Sequence, residues 1–191
     1  MPMETLLSVS LGLGLAAACG FRIFMPLLVM GVASMSGHLE LSDQFAWIGS
    51  SSAVITFAVA TLLEIVAYYV PWLDNLLDTV ASPAAVVAGV VVSASVITGM
   101  DPYIKWTLAV IAGGGLAGAV QVLTTGTRGA STLTTAGFGN PVVSTAEAGG
   151  SLATSILAIV APLFTMVLIG FFLLFSFLTF GREKKSTLPS G

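Results

Sequence analysis

The stretch "LGLGLAAACGFRIFMPLLVMG", residues 11–31, runs apolar as far as Cys19, meets Gly20, carries Arg22 and Pro26, and then turns apolar again. A helix that crosses the roughly 30 Å hydrocarbon core needs about 20 consecutive apolar residues. This stretch supplies them only with a guanidinium in the middle, and a guanidinium among lipid tails costs on the order of 3 kcal/mol. Pro26 lacks the N–H of a helix interior, and its ring crowds the carbonyl four residues back. The reading that follows is a membrane helix broken between Gly20 and Pro26, with Arg22 turned toward a cavity or the headgroup level rather than toward lipid.

Composition puts the whole chain in the same class. Of 191 residues, 56% are hydrophobic and 8% charged, and the mean hydropathy is +1.02, whereas soluble domains are about a quarter charged. The net charge of -3, with no Lys/Arg-rich block before the last ten residues, argues against nucleic acid as a partner. Cys19 is the single cysteine, so no internal disulfide and no multi-cysteine metal cluster can form. "LAAAC" followed by Gly20 has the shape of a lipoprotein cleavage box, but a signal peptide needs a positive start, and the only charge before the apolar run is Glu4. Cys19 is therefore expected inside a membrane helix as a small apolar residue.

Apolar segments at 45–70, 83–98, 104–123 and 151–180 are expected to span, the last with tilt or a bend at Pro162. The regions 6–35 and 124–150 are broken or re-entrant, and together the lengths allow about five to seven spans. In "PWLDNLLDTV", residues 71–80, Trp72, Leu73, Leu76, Leu77 and Val80 share one helical face while Asp74, Asn75, Asp78 and Thr79 share the other. That pattern predicts a short interfacial helix anchored by Trp72, with the aspartates solvated, since two carboxylates alone make an incomplete cation site. "GREKK", residues 181–185, directly follows the last long apolar segment and predicts a cytoplasmic C-terminus. His38, in the acidic loop "GHLELSD", reads as a loop histidine without a special role.

Two halves of the chain resemble each other. "LSVSLGLGLAAAC" from Leu7 aligns with "LAVIAGGGLAGAV" from Leu108, sharing Gly12/Gly113, Gly14/Gly115, Leu15/Leu116 and Ala16/Ala117 among others. After a short insertion "GFR", ending at Arg22, meets "GTR", ending at Arg128, and Ser51, Ala53, Ala58 and Leu63 meet Ser151, Ala153, Ala158 and Leu163. The expectation is one all-α transmembrane bundle over 1–180, duplicated as 5–80 and 105–180 about a linking helix at 83–98, with a cytoplasmic tail at 181–191. Duplicated transporters place their interrupted helices together at a substrate site.

Within that frame Arg22 and Arg128 are the candidate anion ligands, Arg128 in a loop setting. Gly20, before the first break, and Asn140, in "TTAGFGNPVVS", belong to segments whose exposed N–H groups and helix N-termini favour an anion. Glu64, inside the 45–70 span, is expected to pair with Arg22 or carry a proton if it faces inward. Glu147 reads as a first-turn carboxylate complementing a helix dipole. "AGGGLAG" lacks the Lys-Ser/Thr of a phosphate loop and reads as close helix packing. One His and one Cys assemble no catalytic triad, and no catalytic residue, metal or cofactor is expected.

"GLGLAAACGFRIFMPLL", "LEIVAYYVPWLDNLLD" and "TTAGFGNPVVSTAE" together resemble the bacterial membrane family catalogued as domain of unknown function 4126, over roughly residues 5–165. The resemblance implies a multi-pass protein of the bacterial inner membrane and implies no substrate or reaction. Where that family often has a charged pair before the Ile/Val-Pro step, this chain has Tyr68 and Tyr69, so no role of those charges carries over. The leading expectation is a small transporter or channel for an anionic solute or lipid headgroup. The alternatives are a non-transporting membrane scaffold or regulator and an intramembrane enzyme acting on lipid. Membrane lipids are the expected partners, and assembly into a homo-oligomer stays open. A transporter predicts that Arg22 and Arg128 converge in a hydrated cavity, a scaffold that they stay interfacial, and an enzyme that carboxylates cluster with a metal or nucleophile.

Overall fold

The structure, a computed structural model, describes residues 3–186, with the side chains of 71–78, 177 and 179–186 outside the description. Among the described residues every regular element is helical, as expected where lipid offers the backbone no hydrogen-bond partner. The order is α1 (Met3–Phe21), α2 (Phe24–Met35), a 3-10 turn (Asp43–Gly49), α3 (Ser51–Ala67), α4 (Pro71–Val96) and α5 (Pro102–Leu108), which continues through a π-helical turn (Ala109–Gly114) into α6 (Gly115–Thr135). Then come α7 (Asn140–Val160) and α8 (Pro162–Ser186). Four helices are long and apolar enough to cross a membrane, Met3–Phe21, Thr79–Val96, Pro102–Thr135 and Asn140–Val160, and a bent pair makes five. The protein is a multi-pass helical membrane bundle.

Prolines set most of the boundaries. Pro71, Pro102 and Pro141 each sit in the first two positions of a helix, where a missing N–H costs nothing. Pro162 opens α8 and forces the residue before it out of the helical region, so Ala161 takes φ -143° and ψ 67°. The expected bent span at 151–180 is therefore two helices, and α8 folds back along α7. The 45–70 segment is also not straight. It bends by 63° between the 3-10 turn and α3, at Ser50, whose extended backbone lets its Oγ accept the Ala53 N–H at 3.3 Å. Residues 71–80 and 83–98, expected as separate helices, form one helix that passes through Pro83. The faces of Trp72, Asp74 and Asp78 lie outside the described side chains.

Successive elements run up and down between two ends. At one end Ser8 Oγ meets the Thr98 backbone, Ser42 N–H donates to Ser95 O, and Lys105 Nζ donates to Ser42 Oγ. At the other end α1 stops, α3 stops, α4 starts, and the α6–α7 hairpin turns. α1 is the central helix, wholly buried from Leu15 to Gly20. It packs closely because glycines face it or lie on it. A Cβ on Gly12 would meet the Ser93 backbone at 3.2 Å, one on Gly14 would meet Ala158 at 2.8 Å, and Ser93 Oγ donates to Gly12 O. "AGGGLAG" serves the same purpose, with Gly113 against Ser93 and Gly89 against Ala117. Cys19 is buried in α1, as expected, and His38 is exposed, its ring beside Ser36 Oγ.

Candidate functional site

The site is made where α1 gives way to α2. Pro26, the third residue of α2, would press on the carbonyl of residue 22 if the helix continued, so Arg22 and Ile23 leave it. The break exposes the first N–H groups of α2, and Glu64 of α3 takes them. Its Oε1 accepts from Ile23 N–H at 2.9 Å and its Oε2 from Phe24 N–H at 3.2 Å. Glu64 thus caps a helix rather than pairing directly with Arg22, which corrects the expected partnership. Two peptide donors on one carboxylate, reinforced by the positive end of the helix, are a strong claim on it.

Gly20 requires a second correction. It lies inside α1 and does not break it. A Cβ there would come within 2.5 Å of both Ala117 O and Val120 Cβ, so Gly20 lets α1 and α6 approach at backbone distance, and its carbonyl faces Thr124 Oγ1 at 3.4 Å.

Arg128 lies inside α6, not in a loop, and α6 runs unbroken to Thr135. Threonines sustain this polar helix by bonding back to carbonyls one turn earlier, as Thr127 Oγ1 does to Leu123 O at 2.9 Å. The helix ends at Ala136 and Gly137, both with positive φ, just before Pro141 can start α7. This second break is a tight hairpin between two long helices rather than a re-entrant loop. Asn140 spans it, its Nδ2 donating to Thr132 Oγ1 at 3.0 Å. That bond holds the turn.

The two arginines converge. Arg22 and Arg128 are 1% and 2% exposed, and both reach Glu147 of α7. Arg128 grips it with a side-on fork, Nε to Oε1 at 3.0 Å and Nη2 to Oε2 at 2.7 Å. Arg22 Nη2 approaches the same Oε2 at 3.3 Å and also donates to the Ser144 carbonyl at 2.9 Å and Ser144 Oγ at 2.5 Å. Tyr68 completes the cluster, with each guanidinium carbon lying 4.0 Å from its ring centroid. Both cations thus lie within cation–π range of one phenol. Beside it, Tyr69 Oη bonds Thr145 Oγ1 at 2.7 Å and pins the α3–α4 link to α7.

One group in this cluster is incomplete. Arg22 Nε and Nη1 are buried with no hydrogen-bond partner among the described residues. Leaving a buried donor unsatisfied costs about 1–3 kcal/mol, more for a charged group. A cavity of about 250 Å³ borders the cluster at Glu147, walled also by Phe21, Thr124, Thr127, Phe172 and Ser176 among others, and neither arginine lines it.

Tyr68, Ser144 and Glu147 were not among the expected ligands. Each belongs to a stripe with helical spacing: Ala53, Phe57 and Thr61 along α3 and Tyr68 just past its end are buried, as are Asn140, Ser144, Glu147, Ser151 and Ser155 along α7. A polar stripe of that period in a membrane helix marks its inward face, and Glu147 is on it beyond the first turn, not in a dipole-capping position.

The model of the family described as "Domain of unknown function (DUF4126)" matches residues 9–182. The chain belongs to the DUF4126 family. No curated protein and no solved structure matches it. The DUF4126 match takes in every residue of the cluster, from Arg22 to Glu147.

Proposed function

We propose that this DUF4126 protein is a small membrane transporter for an anionic solute or lipid headgroup, bound at the Arg22–Arg128 pair. The observation that carries the reading is a buried guanidinium, Arg22, two of whose nitrogens, Nε and Nη1, have no hydrogen-bond partner among the described residues, beside a second cation. An oxyanion is the ligand chemistry that answers such donors. The charge pattern supports access from the cytoplasm of a bacterial inner membrane. In the sequence Arg182, Lys184 and Lys185 directly follow the last long apolar segment, half of the six Lys and Arg residues of the chain.

The test is flux in proteoliposomes preloaded with radiolabelled inorganic phosphate, with thermal stabilisation by phosphate measured on the same protein. The expected result is phosphate efflux and stabilisation for the wild type and the loss of both in Arg22→Gln. Vesicles that leak no faster than empty ones, together with no stabilisation, overturn the reading. A scaffold reading draws on a different observation: the Arg22–Glu147–Arg128 bridge ties the ends of α1, α6 and α7 together without any ligand. It expects Arg22→Gln to lower stability and no anion to restore it.

A further inference from the structure

We propose that the cavity at the end of the bundle remote from the arginines seats the zwitterionic headgroup of a phospholipid, its phosphate on Lys105 and its primary ammonium on Asp43. The site is separate from the arginine pair and stands whatever that pair binds.

The cavity forms where the start of the 3-10 turn, the link after α4 and the first turn of α5 meet. Its walls include Ser42, Asp43, Gln44, Thr98, Lys105 and Trp106, around a volume of about 310 Å³. Lys105 Nζ donates to Ser42 Oγ at 3.2 Å and lies 5.9 Å from the centre of the Phe45 ring. Those contacts hold the ammonium at the cavity wall, and it keeps further N–H donors for a phosphate. Asp43 follows Ser42 directly, so its carboxylate stands on the same wall, one residue from the hydroxyl that holds the lysine. Among the described residues Asp43 makes no ion pair and no side-chain hydrogen bond. A cation and a carboxylate thus line one cavity without neutralising each other, which is the complement of a ligand that carries both charges.

The level of the cavity points to lipid. It opens at the start of the span Pro102–Thr135. Trp47, Tyr103 and Trp106 are exposed around it, and the Trp106 ring lies 6.3 Å from that of Phe45. Tryptophan and tyrosine collect where membrane meets water, and lysine stems reach toward that layer. Headgroups occupy the same layer.

Charge and donor chemistry then select the headgroup. Glu40 stands two residues before Ser42, and Asp101 accepts the Tyr103 N–H at 2.9 Å, so carboxylates outnumber Lys105 around the cavity. A purely anionic headgroup meets that negative surround, whereas a zwitterion adds no net charge and answers both signs. A primary ammonium finds acceptors in the Asp43 carboxylate and the Gln44 side chain. A quaternary ammonium has no N–H to offer them, and the one tryptophan on the wall makes no aromatic cage for it. The lipid is therefore an ethanolamine phospholipid.

The probe is dihexanoyl phosphatidylethanolamine, titrated calorimetrically into the full chain in dodecyl maltoside micelles. The choline and glycerol lipids of the same chain length are the comparisons. The ethanolamine lipid is expected to bind about tenfold tighter than either, the worth of one charge-assisted hydrogen bond. In Asp43→Asn its preference over the choline lipid is expected to disappear, and Lys105→Gln is expected to weaken both zwitterions by a similar factor. Equal affinities for all these lipids in the wild type, or a preference that survives Asp43→Asn, overturn the assignment. Phosphoethanolamine carries the same charges without acyl chains and separates the sources. It is expected to bind far more weakly than the lipid, and equal binding overturns the lipid in favour of a free solute. If Lys105→Gln does not fold, the wild-type comparison and Asp43→Asn decide.

Discussion

Gly20→Ala isolates what the residue before the arginine does. The added Cβ would stand 2.5 Å from Ala117 O and from Val120 Cβ, whereas ordinary contact begins near 3.4 Å, so α1 and α6 must separate locally by about 0.9 Å. One obstacle is a backbone carbonyl, which has no rotamer to change. Overpacking of this kind costs about 1–3 kcal/mol, and rigid backbone on the far side puts Gly20→Ala in the upper half of that range. A loss of about 2 kcal/mol lowers the folded-to-unfolded ratio about thirtyfold. The assay is equilibrium unfolding in mixed micelles titrated with dodecyl sulfate. Gly126→Ala on α6 is the control, because a Cβ there meets nothing within 4 Å, and exchanging glycine for alanine in a helix adds about 0.5–1 kcal/mol. If Gly20→Ala is as stable as the wild type without any anion present, the close-packing account of Gly20 is wrong and a ligand-facing role returns.

Three further substitutions or modifications test other parts of the cluster. Glu64→Gln keeps one acceptor for the Ile23 and Phe24 N–H groups but turns an amide N–H₂ toward the other, and is expected to cost about 2 kcal/mol in the same unfolding assay; an unchanged midpoint refutes the capping role. Tyr69→Phe and Thr145→Ala are expected to show a coupling energy of about 0.5–1.5 kcal/mol in a double-mutant cycle, since each removes one side of a 2.7 Å bond; additive effects mean that the link to α7 contributes nothing. Cys19 is wholly buried, so a membrane-permeant maleimide is expected to label it only after denaturation, and rapid labelling of the folded protein contradicts the packing of α1.

Much of the fold was legible because its signals are local. Hydropathy gave the membrane class, and the Gly20–Pro26 interruption gave the α1–α2 break, since a proline acts on its own helix. Prolines were misjudged where position matters more than presence. Pro83 is accommodated within α4, while Pro162 ends one helix and starts another. Arg128 was misplaced because glycines and threonines in 124–135 look like a loop by composition, yet back-bonded threonines and an unobstructed Gly126 and Gly129 allow a helix. The site was half legible. An arginine in an apolar segment announces itself, but its partner is fixed by how α1, α6 and α7 pack, and that information is spread over residues more than a hundred positions apart.

The division of labour between the two buried carboxylates follows from the break itself. Pro26 frees Arg22 from the helix and in the same step strips α2 of its first hydrogen bonds, so the break creates one cation and two bare N–H groups within three residues. A single carboxylate cannot serve both at full strength, because its two oxygens are already committed by either set. Glu64 takes the backbone and Glu147 takes the cations. The two are therefore not interchangeable: loss of Glu64 loosens the start of α2, whereas loss of Glu147 leaves Arg22 and Arg128 beside the ring of Tyr68 without the carboxylate that bridges them. A supplied oxyanion can replace the second carboxylate and not the first, so stabilisation by anion is expected to be larger in Glu147→Gln than in the wild type and unchanged in Glu64→Gln.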